Sequence, residues 1–95
     1  MPPLADAEIA AALEALAGWT REGDEIVKTY ECATFADAIA FVVRAGFLAE
    51  RADHHPDIDI RWTTVTFTLS THAAGGLTKY DLELARKIDG LAVDA

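Results

Sequence analysis

Ninety-five residues suffice for one ordinary domain and are too few for two separately folded cores, so a single domain over residues 1–95 is expected. Apolar residues make up 52% of the chain, enough for a self-supporting core in a domain whose small size leaves it marginally stable and favours oligomerisation. The formal charge of −8, from 16 acidic and 8 basic residues, repels a phosphate backbone and argues against direct nucleic-acid binding.

The one cysteine, Cys32, has no partner for an intrachain disulfide, and the N-terminal MPPLADAEIA lacks a basic flank followed by a long apolar stretch. No apolar run approaches the roughly 18 residues of a membrane helix. A soluble, reduced, cytoplasmic protein is expected.

In chain order, Asp6 is placed to cap a first helix over about Ala7 to Ala17, with Ile9, Leu13 and Leu16 at helical spacing and Gly18 at its end. Trp19-Thr20-Arg21 and Ile26 to Tyr30 flank the polar segment Glu22-Gly23-Asp24-Glu25, which predicts a β-hairpin. Thr34 followed by Asp37 resembles a capping box, and Phe35, Ile39, Val42, Val43, Phe47 and Leu48 give a broad apolar face to a second helix running to about His54. Pro56 disfavours helical geometry at His55, so the histidine pair is predicted at a helix-to-strand corner.

Beyond it, Ile58, Ile60 and Trp62 alternate with Asp57, Asp59 and Arg61, and Val65, Phe67 and Leu69 alternate with threonines and Ser70. This period-two pattern predicts strands of a sheet covered on one side only. Thr63 and Thr64 are poor residues for a tight two-residue turn, which leaves the loop undefined. After Gly75 and Gly76, Leu77, Thr78, Asp81 and Leu82 combine a capping box with a hydrophobic staple, and Tyr80, Leu84, Ile88 and Leu91 supply the buried stripe of a last helix. The order α-β-β-α-β-β-α predicts an α+β fold, a four-stranded antiparallel sheet with helices packed on one face.

All three histidines fall in Asp53-His54-His55-Pro56 and Ser70-Thr71-His72. Imidazole exchanges protons near neutral pH, so convergence of these segments would make an acid/base site. Glu50 precedes His54 by one helical repeat, which would let its carboxylate orient that ring. Taken singly, each histidine is better explained as a solvated or capping residue, His72 has the parity of the polar strand face, and Asp81 is accounted for by its capping box. A metal site is disfavoured because neighbouring helical residues point about 100° apart and no CxxC or HExxH pattern accompanies the histidines. GxSxG, P-loop and GxGxxG signatures are absent. Cys32 reads as a small buried residue rather than a nucleophile.

The joint spacing is more specific. Glu50-Arg51-Ala52-Asp53-His54-His55-Pro56, the aromatic Trp62, then His72 and Asp81 resemble the signature of the pterin-4a-carbinolamine dehydratases. The similarity runs from Gly18-Trp19 to about Leu91, with HHPDIDIRW, LSTHAAGGLT and KYDLELARKI in register. The resemblance implies dehydration of 4a-hydroxytetrahydrobiopterin to quinonoid dihydrobiopterin, the recycling step after aromatic amino-acid hydroxylation, with no metal and no organic cofactor. It further implies that His54 and His72 are general acids at the two faces of the pterin. His55 would bind substrate and assist the base, Glu50 and Asp81 would hold the imidazoles, and Asp53, Ser70, Thr71 and Ala73 would contact the ring.

The resemblance implies a homodimer, or a homotetramer formed through the second helix, and an apolar excess at Phe41, Val42 and Leu48 fits that. Animal members also act as transcriptional coactivators; this chain has Ile58 and Asp59 where they carry aromatics. The competing function class is a non-catalytic protein-binding or coactivator module of the same fold.

Overall fold

The computed structural model describes residues 1–92, and the last three residues of the span expected to form one domain lie outside it. Its elements are α1 (Asp6–Glu14), β1 (Thr20–Glu22), β2 (Glu25–Glu31), α2 (Phe35–Ala52), β3 (Asp57–Arg61), β4 (Thr64–Leu69), a short 3₁₀ turn (His72–Ala74) and α3 (Lys79–Ala92). The expected α+β order is therefore present. The strands form one antiparallel sheet in the order β1-β2-β4-β3.

Register follows from the alternation. Directly opposed residues share a face, and the pairs Ile26↔Leu69, Tyr30↔Val65, Ile58↔Phe67 and Ile60↔Val65 put the apolar set on the helix side. The opposite face carries Thr29, Thr64, Thr66 and Thr68, where the Thr29 and Thr66 hydroxyls bond each other at 3.0 Å. On the covered face Val65, Phe67 and Leu69 meet Ala38, Phe41, Ala45 and Ala49 of α2 and Leu84, Ala85 and Ile88 of α3 in a continuous core. Phe41, Phe67 and Tyr30 pack edge to face, with centroids 4.9–5.9 Å apart.

Several local expectations change. α1 starts at Asp6 itself, with Ala5 as the cap residue and its N–H donating to Glu8 Oε1 at 3.2 Å; Asp6 instead accepts from Arg21 Nη1 at 2.8 Å. The helix stops at Glu14 rather than Ala17, because a tight turn is needed to bring both Leu16 and Trp19 into the core. β3 is an edge strand in which only Ile60 is half-buried, and Trp62 is not part of its apolar face. It occupies the β3–β4 turn with φ 55° and 77% of its surface exposed.

Phe41, expected as part of an oligomer surface, is fully buried, and Val42 and Leu48 pack against the same core. The large apolar residues that α2 leaves exposed are Phe35, Ile39, Val43 and Phe47. Helical spacing shows that a stripe exists, whereas the position of the sheet decides which stripe is covered. No helix of the described residues is long and apolar enough to cross a membrane.

Candidate active site

The C-terminus of α2 sets the directions of the two adjacent histidines. Asp53 adopts a left-handed conformation (φ 51°, ψ 42°), its N–H reaches Glu50 O at 3.2 Å, and His54 N–H reaches Ala49 O at 3.1 Å. This is a Schellman closure with aspartate where glycine is commonest. The helix therefore ends at Ala52, short of His54, and the chain reverses before the first imidazole. The Glu50–His54 pairing expected from helical spacing does not form. Glu50 Oε1 instead accepts from His55 Nε2 at 2.7 Å, on the exposed side of the corner.

His54 turns inward. Its side chain is 14% exposed, and Nε2 lies 2.5 Å from Asp81 Oδ1, a carboxylate with no exposed surface. A carboxylate only accepts, so the proton of this bond resides on Nε2 and leaves Nδ1 as the ring atom free for other chemistry. The second oxygen of Asp81 accepts the Thr71 hydroxyl at 2.7 Å and the Thr78 N–H at 2.9 Å. Since Thr71 gives its proton to Asp81, the contact between the Thr71 and Thr78 hydroxyls at 2.8 Å is donated by Thr78. Thr78 in turn accepts the Tyr80 N–H at 3.3 Å. The carboxylate half of the expected capping box at α3 is thus built, while the Thr78 hydroxyl takes the Tyr80 N–H and the Asp81 N–H goes to the Thr78 carbonyl; the capping carboxylate also holds His54.

The segment between β4 and α3 brings the remaining residues in. Thr71 and Gly76 form an isolated bridge, and the 3₁₀ turn between them closes at Gly75, whose φ of 74° disfavours residues with a side chain. The loop fixes Thr71 beneath Asp81 and leaves His72 and Ala73 exposed. The Ser70 hydroxyl donates to Asp24 O at 2.9 Å.

An open cleft of about 420 Å³ results, bordered by Asp53, His54 and His55 from the α2–β3 corner, by Ser70, Thr71, His72 and Ala73, and by Tyr80. All three histidines therefore border one cavity. Glu50 and Asp81 stand behind His55 and His54, outside its lining. Trp62 is also outside the lining. Among the described residues no group of three or more His, Cys, Asp or Glu is placed to hold a metal ion.

The expected place of Tyr80 in the buried stripe of α3 is taken by Asp81 with Leu84, Ala85 and Ile88, and Tyr80 is 42% exposed and borders the cleft. Either residue continues the stripe at helical spacing, and polarity alone favours burying the tyrosine. The histidine partner of Asp81 reverses that preference.

The family pattern for pterin 4 alpha carbinolamine dehydratase matches residues 2–91. A Nocardia farcinica protein provisionally named a pterin-4-alpha-carbinolamine dehydratase is 63% identical over 89 residues, covering 94% of each chain. A similarly named Roseiflexus protein is 60% identical over 86 residues, covering 90% of this chain and 92% of its own. Among solved structures, a transcriptional coactivator/pterin dehydratase from Brucella melitensis superposes with a TM-score of 0.91 at 34% identity, covering 95% of this chain and 98% of that one. A pterin dehydratase-like RuBisCO assembly factor of the alpha-carboxysome shares the fold, with a TM-score of 0.64 at 24% identity over 78% of this chain and 86% of its own. The chain belongs to the pterin 4 alpha carbinolamine dehydratase family.

Proposed function

We propose that this protein is a hydro-lyase that removes water from 4a-hydroxytetrahydrobiopterin to give quinonoid dihydrobiopterin, using histidine acid/base catalysis without metal or organic cofactor. The observation that carries the reading is the buried Asp81–His54 pair opening onto a cleft that His55 and His72 also border. The reaction needs a proton delivered to the departing 4a-hydroxyl, which leaves as water, and a proton withdrawn from a ring nitrogen, so the two transfers balance.

In this reading His54 and His72 are general acids for hydroxyls on opposite faces of the ring. With Nε2–H committed to Asp81, His54 donates from Nδ1 and must do so as the imidazolium, with the Asp81 carboxylate as its counter-charge. His55, tied through Nε2 to Glu50, keeps Nδ1 for binding substrate and assisting the base. Asp53, Ser70 and Ala73 contact the pterin from the rim. Thr71 acts chiefly through Asp81, because its hydroxyl is already given to that carboxylate.

Purified protein treated with chelator should accelerate the decay of freshly made 4a-hydroxytetrahydropterin. Activity that disappears with chelator and returns with zinc or iron would overturn the metal-free mechanism.

A second reading, a protein-binding or coactivator module, draws support from the exposed α2 stripe of Phe35, Ile39, Val43 and Phe47 and from the double description of the Brucella relative. Pterin binding without rate acceleration would favour it. The same stripe supports assembly into a homodimer or homotetramer, and the composition supports a cytoplasmic location.

A further inference from the structure

Most of the cleft lining is polar or small: imidazoles, a carboxylate, hydroxyls and the methyl of Ala73. A pterin is a flat bicyclic ring with two broad faces, and the largest flat side chain on the lining is that of Tyr80. It is the one phenol ring bordering the cavity, and its backbone is held by the bond from its N–H to Thr78 and by its place next to the fully buried Asp81. Its centroid lies 6.1 Å from that of His54 with the planes 42° apart, so the two rings are not stacked on each other.

Tyr80 also borders a second cavity of about 280 Å³, shared with Ala52, Asp53 and His54. Tyr80, like Asp53 and His54, therefore borders both cavities.

We propose that Tyr80 is a substrate-positioning and specificity-determining residue, the aromatic wall against which the pterin ring stacks in the larger compartment. The proposal rests on the pterin reading of the cleft and adds a residue to it. A planar substrate stacked on the ring in the larger cavity lies on the side that His72 also borders. The recognition is through the ring face, so aromatic replacements retain it and aliphatic ones lose it. Stacking of a heteroaromatic base on an aromatic side chain corresponds to roughly 5- to 150-fold in affinity when that side chain is cut to alanine.

The test separates binding from chemistry. Tyr80→Ala, Tyr80→Leu, Tyr80→Phe and Tyr80→Trp would be assayed for KM and kcat, and each would be titrated with 6-methylpterin, a stable fluorescent pterin that cannot be dehydrated. Alanine and leucine variants should raise both KM and the 6-methylpterin Kd by at least about 5-fold, with the loss falling on KM rather than on kcat. Phenylalanine and tryptophan should stay within about 3-fold of the parent, below that stacking range. Because Tyr80 is 42% exposed, circular dichroism should show each variant folded.

Unchanged KM and Kd in Tyr80→Ala would overturn the proposal and leave the tyrosine as a platform for Lys79, whose ammonium lies 5.6 Å from the ring centroid. A Tyr80→Phe variant as weak as Tyr80→Ala would assign the effect to the hydroxyl and equally defeat the stacking role. If the parent binds 6-methylpterin but does not accelerate dehydration, the dehydratase reading fails while the titrations still decide Tyr80. A parent that binds no pterin removes both.

Discussion

His54 Nε2 and Asp81 Oδ1 lie 2.5 Å apart although 27 residues of chain separate them. The carboxylate has no exposed surface and completes its shell with the Thr71 hydroxyl and the Thr78 N–H, so one side chain caps α3 and fixes the orientation of an imidazole at the end of α2. Asp81→Asn keeps the volume and some capping ability, but turning an amide N–H₂ towards the Nε2 proton would break the pairing. A rate loss of about 10²-fold or more is expected, against a stability loss near the 0.5–2 kcal/mol of a weakened N-cap. Stability lost with the rate intact would reduce Asp81 to a cap.

Thr71→Val should act through the same carboxylate. It leaves Oδ2 with the Thr78 N–H alone and takes away the acceptor of the buried Thr78 hydroxyl, so it should destabilise the fold by about 1–3 kcal/mol, the range for an unsatisfied buried group. It should also lower kcat more than it raises KM. Thr71→Ser restores the donor and should restore both. A valine variant with normal turnover would show that the threonine is not needed to position Asp81.

The histidines should separate by role when the 4a-R and 4a-S substrates are assayed independently. His54→Ala and His72→Ala are each expected to spare one stereoisomer and slow the other by about 10²–10⁴-fold. His55→Ala should impair both alike. Near-normal rates for all three variants on both isomers would leave the interaction-module reading.

Phe35, Ile39, Val43 and Phe47 form a row along α2 at four-residue spacing, all on exposed surface, with Phe47 the most open at 68%. A row of this kind on so small a domain is expected to be covered by another copy of the chain. Light scattering at micromolar concentration should give at least twice 10.2 kDa. Phe47→Asp should shift the distribution to monomer. A parent that is monomeric throughout would contradict the assembly.

At the far end of α3, Asp89 Oδ1 accepts the Trp19 indole at 3.1 Å, the Lys28 ammonium at 2.8 Å and the Tyr30 hydroxyl. Burial first, then the hydrogen bond to Asp89 and its charge, raise the Tyr30 phenol well above its ordinary value of 10.0. Below that pH both states keep the proton and Tyr30 adds no pH dependence. Above it the unfolded chain ionises while the folded chain does not, so its contribution is lost as pH rises. Chemical denaturation between pH 9 and about 11 should therefore show a steeper alkaline decline for the parent than for Tyr30→Phe. Parallel declines would mean that Tyr30 titrates normally.

Strand alternation and helical spacing made the element order, the covered face of β4 and the caps at Thr34 and Thr78 legible, because each depends on neighbours within one or two turns. The resemblance singled out His54, His55, His72 and Asp81 as a set, but it did not determine how they pair. Helical spacing had matched Glu50 with His54, whereas the left-handed Asp53 ends the helix first and gives Glu50 to His55.

Local pattern also placed Tyr80 inside and Phe41 on an oligomer surface. The packing reverses both, since helix periodicity defines faces and only contact with the sheet decides which face is buried. The sequence by itself determined the elements, their order and the residue types available for proton transfer. The tertiary structure decided that Asp81 meets His54 and that Tyr80 faces the cleft, because those relationships join distant segments through side-chain directions that short-range periodicity does not encode.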